Sequence, residues 1–200
     1  MILRKFAFVL LFFITISSVA QQRDTSFSRE WLQIDTLILH NGLTKTALAQ
    51  VNQLYNKAVA KNLPAQKIKC LIYRYSLESI VTEKGPVEIA GDLQKEIENN
   101  NDPVIQSLYR LLLSKQLQKY LQDNRWAIYT RKPVLNNSNP DINTWTIDDF
   151  RKNIDRQFKW ILQNISDLEK ISVHQFDAIL IKGNHSFTQL DLADLCLVEA

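Results

Sequence analysis

Three histidines, His40, His174 and His185, are the first residues to test for chemistry, because neutral imidazole is a common metal ligand and proton carrier. They are scattered, no two stand four apart, and neither a His-Glu-x-x-His string nor a pair of closely spaced cysteines accompanies them. No metal site and no cofactor are expected. Asn139-x-Asp141-x-Asn143 has the oxygen ligands that open a calcium loop. The position that needs glycine holds Thr144, however, and the one that needs a bidentate glutamate holds Phe150. An Asx turn is the better reading. Ser, His and Asp residues are present, but no nucleophile elbow, Walker loop or dinucleotide glycine pattern groups them. The carboxylate pair Asp148-Asp149 sits at a helix start, where two negative charges favour the helix dipole. The expectation is that the chain is not an enzyme.

The most distinctive string is Tyr120-Leu-Gln-Asp-Asn124-Arg125-Trp126-Ala-Ile-Tyr129-Thr-Arg131. Aromatic residues beside Arg form binding hot spots. The same composition also forms a helix end clamped into the core by Trp126, with Arg satisfying carbonyls there. The second reading is preferred, so Trp126 is expected to plug the end of a central helix. Cys70 and Cys196 are the only cysteines. An exported chain could oxidise them, but two buried free thiols are expected, since an unpaired Cys behaves as a small apolar residue. The triplets at Asn136, Asn164 and Asn184 match glycosylation acceptors, which matter only in a host that glycosylates exported proteins.

The first twenty residues read as an export signal. Arg4 and Lys5 precede an apolar run from Phe6 to Ile16, and Ser18-Val19-Ala20 supplies small residues for a peptidase. The run is too short for a comfortable membrane span. Cleavage is expected between Ala20 and Gln21, giving an exported protein in the periplasm, envelope or medium. Without Arg4 and Lys5 the 24 basic residues fall to 22, against 21 acidic ones, a net charge of +1. That balance gives no reason to expect nucleic acid or an anionic membrane as partner, and no second long apolar run follows.

The elements that must position these residues are helical. Glycine and proline number only 4 and 5 in 200 residues, which favours long helices over a turn-rich sheet. After a flexible lead-in over 21–28, a helical domain is expected over 29–200. Its first helix runs from Ser28, as N-cap, to His40, and stops at Asn41-Gly42. The second starts near Thr44, carries Ala47, Val51, Leu54 and Ala58 in one stripe, and ends at Asn62-Leu63-Pro64. The third starts at Pro64 and breaks at Gly85-Pro86. A shorter one follows over 87–98, and a central helix over about 104–126. Residues 131–145 form the clearest irregular loop. Thr146 and Asp149 then make a capping signal for a helix striped by Phe150, Ile154, Phe158 and Ile161. A last helix starts at about Leu190. Short connections between long amphipathic helices give an all-α fold of antiparallel helix pairs, as a bundle or a short solenoid-like array.

The string Asn124-Arg125-Trp126 with Tyr129 and Arg131 resembles part of the N-terminal helical region of the large alpha-2-macroglobulin-like proteins exported by Bacteroidetes-type bacteria. Other pieces resemble that region in the same order: Trp31-Leu-Gln-Ile34-Asp35, Gly42-Leu43, Ala47-Leu48 with Val51, Tyr55 and Ala58, Gln66-Lys67-Ile68-Lys69 with Tyr73, Asp141-Ile142-Asn-Thr144-Trp145, and Phe176-Asp-Ala-Ile179-Leu180. The resemblance implies a longer chain in which β-sandwich domains follow, of the kind that traps proteases with a bait segment and often a Cys-Gly-Glu-Gln thioester. No such thioester string occurs here, and Gln189-Leu-Asp-Leu192-Ala193-Asp194-Leu195-Cys196 departs from the family's ending. The chain also stops inside an apolar helical pattern, as a natural terminus can and as a chain truncated at the C-terminus would. The implied role is a non-catalytic scaffold or docking module whose partners are other domains of a longer chain. The alternative is a stand-alone exported adaptor that binds a peptide or a protein.

Overall fold

The structure is a computed structural model, and it describes residues 25–132, 141–180 and 191–198. Signal residues 1–20, with the Ala20/Gln21 junction, lie outside the described residues, as do Asn136, Asn184, His185 and most of the loop expected over 131–145.

The fold is all-α, and no strand occurs among the described residues. Nine helices follow in order among them: α1 Thr25–Leu39, α2 Thr44–Ala60, α3 Pro64–Val81, α4 Pro86–Glu98, α5 Pro103–Asp123, α6 Arg125–Tyr129, α7 Ile147–Gln163, α8 Ile165–Leu168 and α9 Leu192–Val198. Two short 3-10 turns, Ile142–Thr144 and Val173–Phe176, complete the framework, and one antiparallel bridge joins Ser172 to Asp191. None of these helices is long and apolar enough to cross a membrane.

Local chemistry sets the boundaries. Gly42 takes φ +64°, and Leu43 N–H donates back to the Leu37 carbonyl at 2.9 Å, which closes α1. Asn62 takes φ +52° after α2; its N–H reaches the Val59 carbonyl, and Leu63 N–H reaches that of Ala58. That pair of bonds is a Schellman closure with asparagine in the left-handed seat. Pro64, Pro86 and Pro103 each open a helix, where the missing N–H costs nothing. Asp102 caps α5 by accepting from the amides of Val104 and Ile105. Thr146 and Asp149 form the expected reciprocal capping box on α7.

Two boundaries differ from the sequence reading. The lead-in is shorter than 21–28: α1 starts at Thr25, Ser28 lies inside it, and Phe27 is buried. Phe27 is one helical turn before Trp31 and two before Ile34, so burying it extends the same stripe backwards. The central helix does not reach Trp126 unbroken. α5 ends at Asp123, and Asn124 interrupts it before α6.

The apolar interior falls into two clusters that share α3. One gathers Phe27, Trp31 and Ile34 of α1, Val51 and Leu54 of α2, and Cys70 and Leu77 of α3. The other gathers Ile68, Leu71 and Tyr75 of α3 with α4, α5, α7 and α9. Helix α3 is thus a wall with a core on each side. Helix α5 packs against α4 and α7, and also touches α6, α8 and α9, so it is the central element.

Candidate functional site

The Tyr120–Arg131 string divides into an inward part and an outward part. Tyr120 stacks on Phe150 with centroids 5.6 Å apart, and its hydroxyl donates to Asn143 Oδ1. Asn124 Nδ2 donates to the Tyr120 carbonyl, closing α5 on itself. Arg131 Nη1 donates to the Trp145 carbonyl at 2.8 Å and to that of Ile142 at 3.4 Å. These three residues are structural. Ile128, only 1% exposed, pins α6 into the core.

Arg125, Trp126 and Tyr129 point the other way. Trp126 is 86% exposed and Tyr129 is 73% exposed. The expectation that Trp126 plugs the core is therefore overturned. The reason is helical phase. Trp126 stands four, seven and eleven residues after Gln122, Lys119 and Lys115, all exposed on α5. Ile128 stands in the same relation to Leu117, which is buried, and to Leu121, which is half-buried. The stripe that selects Ile128 for burial sends Trp126 to solvent. Three residues apart on one short helix, Trp126 and Tyr129 are side-chain neighbours, and Arg125 stands four before Tyr129.

Other groups capable of chemistry are engaged in holding the fold. Lys67 Nζ donates to Glu96 Oε2 at 3.0 Å, and Tyr55 Oη donates to Glu96 Oε1 at 3.3 Å. The Lys67 ammonium also lies 5.8 Å and 5.7 Å from the ring centres of Tyr55 and Tyr109. Burial pulls the Lys67 pKa down, but the hydrogen bond and charge of Glu96 outweigh it and hold it above its ordinary value. Protonated at neutral pH, Lys67 cannot serve as base or nucleophile. It lines an open cleft of about 330 Å³ with Asn62, Asn100 and Asp102, whose carboxylate is already spent on capping α5. A second cleft, about 280 Å³, lies between α1 and α2, with the Lys57–Glu30 ion pair along it at 2.9 Å. Burial lowers the Lys69 pKa, but its ammonium is seated 4.5 Å from the Trp31 ring centre.

Arg110 crosses from α5 to α7, donating to Gln157 Oε1 at 2.6 Å and lying 4.3 Å from the Trp160 ring centre. Gln157 stands on the α7 stripe by phase, seven residues after Phe150 and four before Ile161, but its polar side chain hides it from an apolar pattern. The Tyr75 and Tyr109 hydroxyls are buried, with Arg74 and Lys67 beside their rings, and burial pushes both up to about 12.

Cys70 and Cys196 are buried free thiols, as expected, one in each apolar cluster. Burial raises them to about 12 and about 11, so neither is a poised nucleophile. His40 is exposed, and His174 Nδ1 lies 3.3 Å from Asp177 Oδ1. No group of three potential metal ligands occurs among the described residues. Comparison of the chain with protein-family models, with curated proteins and with solved structures gives no match.

Proposed function

We propose that this chain is a non-catalytic helical docking module of an exported, alpha-2-macroglobulin-like protein, and that α6 is where it meets a neighbouring domain or a separate protein partner. The observation that carries the docking role is the paired exposure of Trp126 and Tyr129, 86% and 73%, on a helix anchored from behind by Ile128. Trp, Tyr and Arg are the residue types that dominate binding energy at interfaces, and all three stand together here. A firmly held backbone beneath them lowers the ordering cost of binding. The family assignment is supported by the order of the resembling strings from Trp31 to Leu180, and export by the signal in residues 1–20.

The test is a photo-crosslinker, benzoylphenylalanine, placed at position 126 of the full-length protein in its native host. The control site is Ser79, exposed at the far end of α3. An adduct to a polypeptide from position 126, and not from position 79, is the expected result. An adduct within the same longer chain identifies a domain module, and one to a separate protein identifies an adaptor. Equal labelling at both positions, or none at either, overturns the docking role.

A further inference from the structure

The residues around α6 carry a charge pattern that specifies what docks there. From Arg125 to Lys132 the chain has three cations and no acid. Arg131 is turned inward onto the Ile142 and Trp145 carbonyls, which leaves Arg125 and Lys132 as the exposed cations flanking the two aromatic rings. The nearest acid along the chain, Asp123, is paired to Lys119 at 2.9 Å. The aromatic pair is thus framed by positive charge at both ends of α6. The mature chain as a whole is close to neutral, so this local excess is not a property of the surface at large.

Resting on the docking reading above, we infer that the α6 face takes an acidic polypeptide segment, with an apolar side chain seated against Trp126 and Tyr129 and carboxylates meeting Arg125 and Lys132. A carboxylate suits Arg125 because the guanidinium fork binds it bidentately. Lys132 stands three residues after Tyr129, so two acids on one extended segment can bracket the aromatic contact. A lipid surface is the competing anionic partner. The inference favours polypeptide because α6 offers only five residues and two aromatic side chains, too little apolar area for an interfacial helix, whose apolar face is long and continuous.

The experiment uses the purified chain with nitrogen-15 indoles, whose four tryptophans give four separate signals. Three probes are titrated: a Glu-rich octapeptide carrying two leucines, the same peptide with Gln for every Glu, and vesicles of phosphatidylglycerol. The acidic peptide should shift the Trp126 signal and leave that of buried Trp31 in place. The Gln peptide should bind about threefold to tenfold more weakly, the size two surface charge pairs supply. The double substitution Arg125→Gln, Lys132→Gln should erase that difference while the residual aromatic contact persists. Equal affinity for the two peptides, no shift with either, or a response to vesicles alone overturns the inference. A polypeptide crosslink from position 126 combined with equal peptide affinities would retain the docking role and reject the acidic partner.

Discussion

Lys84 shows how much one side chain can hold. Its ammonium reaches Glu78 of α3 at 2.8 Å and Asp92 of α4 at 2.6 Å, tying the two helices across the turn at Gly85. For Asp92, burial favours the neutral acid, but the Lys84 hydrogen bond and charge outweigh it and lower the pKa below 3.8. For Lys84, burial favours the neutral amine, but the two carboxylates outweigh it and raise the pKa above 10.5. A depressed carboxylate stabilises the fold above its unfolded pKa and loses that contribution as pH falls through the folded value. A raised ammonium contributes below its unfolded pKa and loses it as pH rises through the folded value. Lys84→Gln should therefore cost about 0.5–1 kcal/mol at pH 7. The difference from the parent chain should shrink below about pH 4 and again above about pH 10 in urea melts across pH. A constant offset at all pH values would show that the pair does not carry the effect. Aromatic truncations give a second residue-scale contrast. Phe150 is fully buried between Tyr120 and Trp145, and Phe150→Ala should cost about 3–5 kcal/mol. Trp126→Ala should change stability by less than about 0.5 kcal/mol, as exposed substitutions do. Urea midpoints measure both, and a large loss at Trp126 would mean that its ring is covered.

Elements here are stopped by chemistry that a single substitution can test. Asn62 holds φ +52° at the end of α2, a conformation that strains any side chain with a β-carbon and that asparagine tolerates better than most. Asn62→Gly should be neutral or slightly stabilising, whereas Asn62→Val should cost about 1–2 kcal/mol. Calorimetric Tm values for the two variants separate backbone strain from loss of the Asn side chain; equal losses in both would point to the side chain. At the other end of the domain, Asn124 divides what the apolar pattern alone suggests is one helix. The division does little to the phase of the stripe, so Ile128 still faces inward with Leu117. α6 is thereby a short helix with a buried foot at Ile128 and an exposed aromatic face at Trp126 and Tyr129.

At the scale of the whole molecule, the two apolar clusters make α1 and α5 unequal partners of the rest. α5 touches most of the larger cluster, whereas α1 packs chiefly on α2 and reaches α3 through side-chain bonds such as Trp31 Nε1 to Gln66 Oε1 at 2.8 Å and Tyr73 Oη to Asp35 Oδ1 at 2.9 Å. Elements with few partners open at lower free energy. Amides of α5 should accordingly keep their hydrogen-exchange protection longest, and those of α1 should exchange well before them. Matching protection in α1 and α5 would show instead that the two clusters open as one unit.

Helix content and most helix ends were legible in the sequence because they depend on neighbours in the chain. Pro64, Pro103, Gly42, Asn62 and the Thr146–Asp149 box act over three or four residues, and periodic apolar stripes need no partner to be seen. The same periodicity contains the exposure of Trp126, through its phase with Lys115, Lys119 and Gln122, although a tryptophan's large apolar ring by itself argues for burial. Other features depend on which helices meet. The Lys67–Glu96 pair spans 29 positions, Trp31–Gln66 spans 35, and Arg110–Gln157 spans 47. No local rule selects these partners. They are decided when α1, α3, α4, α5 and α7 pack and bring distant polar side chains within reach of one another. Tertiary structure likewise decided that Tyr120, alone among the aromatics of the Tyr120–Arg131 string, stacks on Phe150.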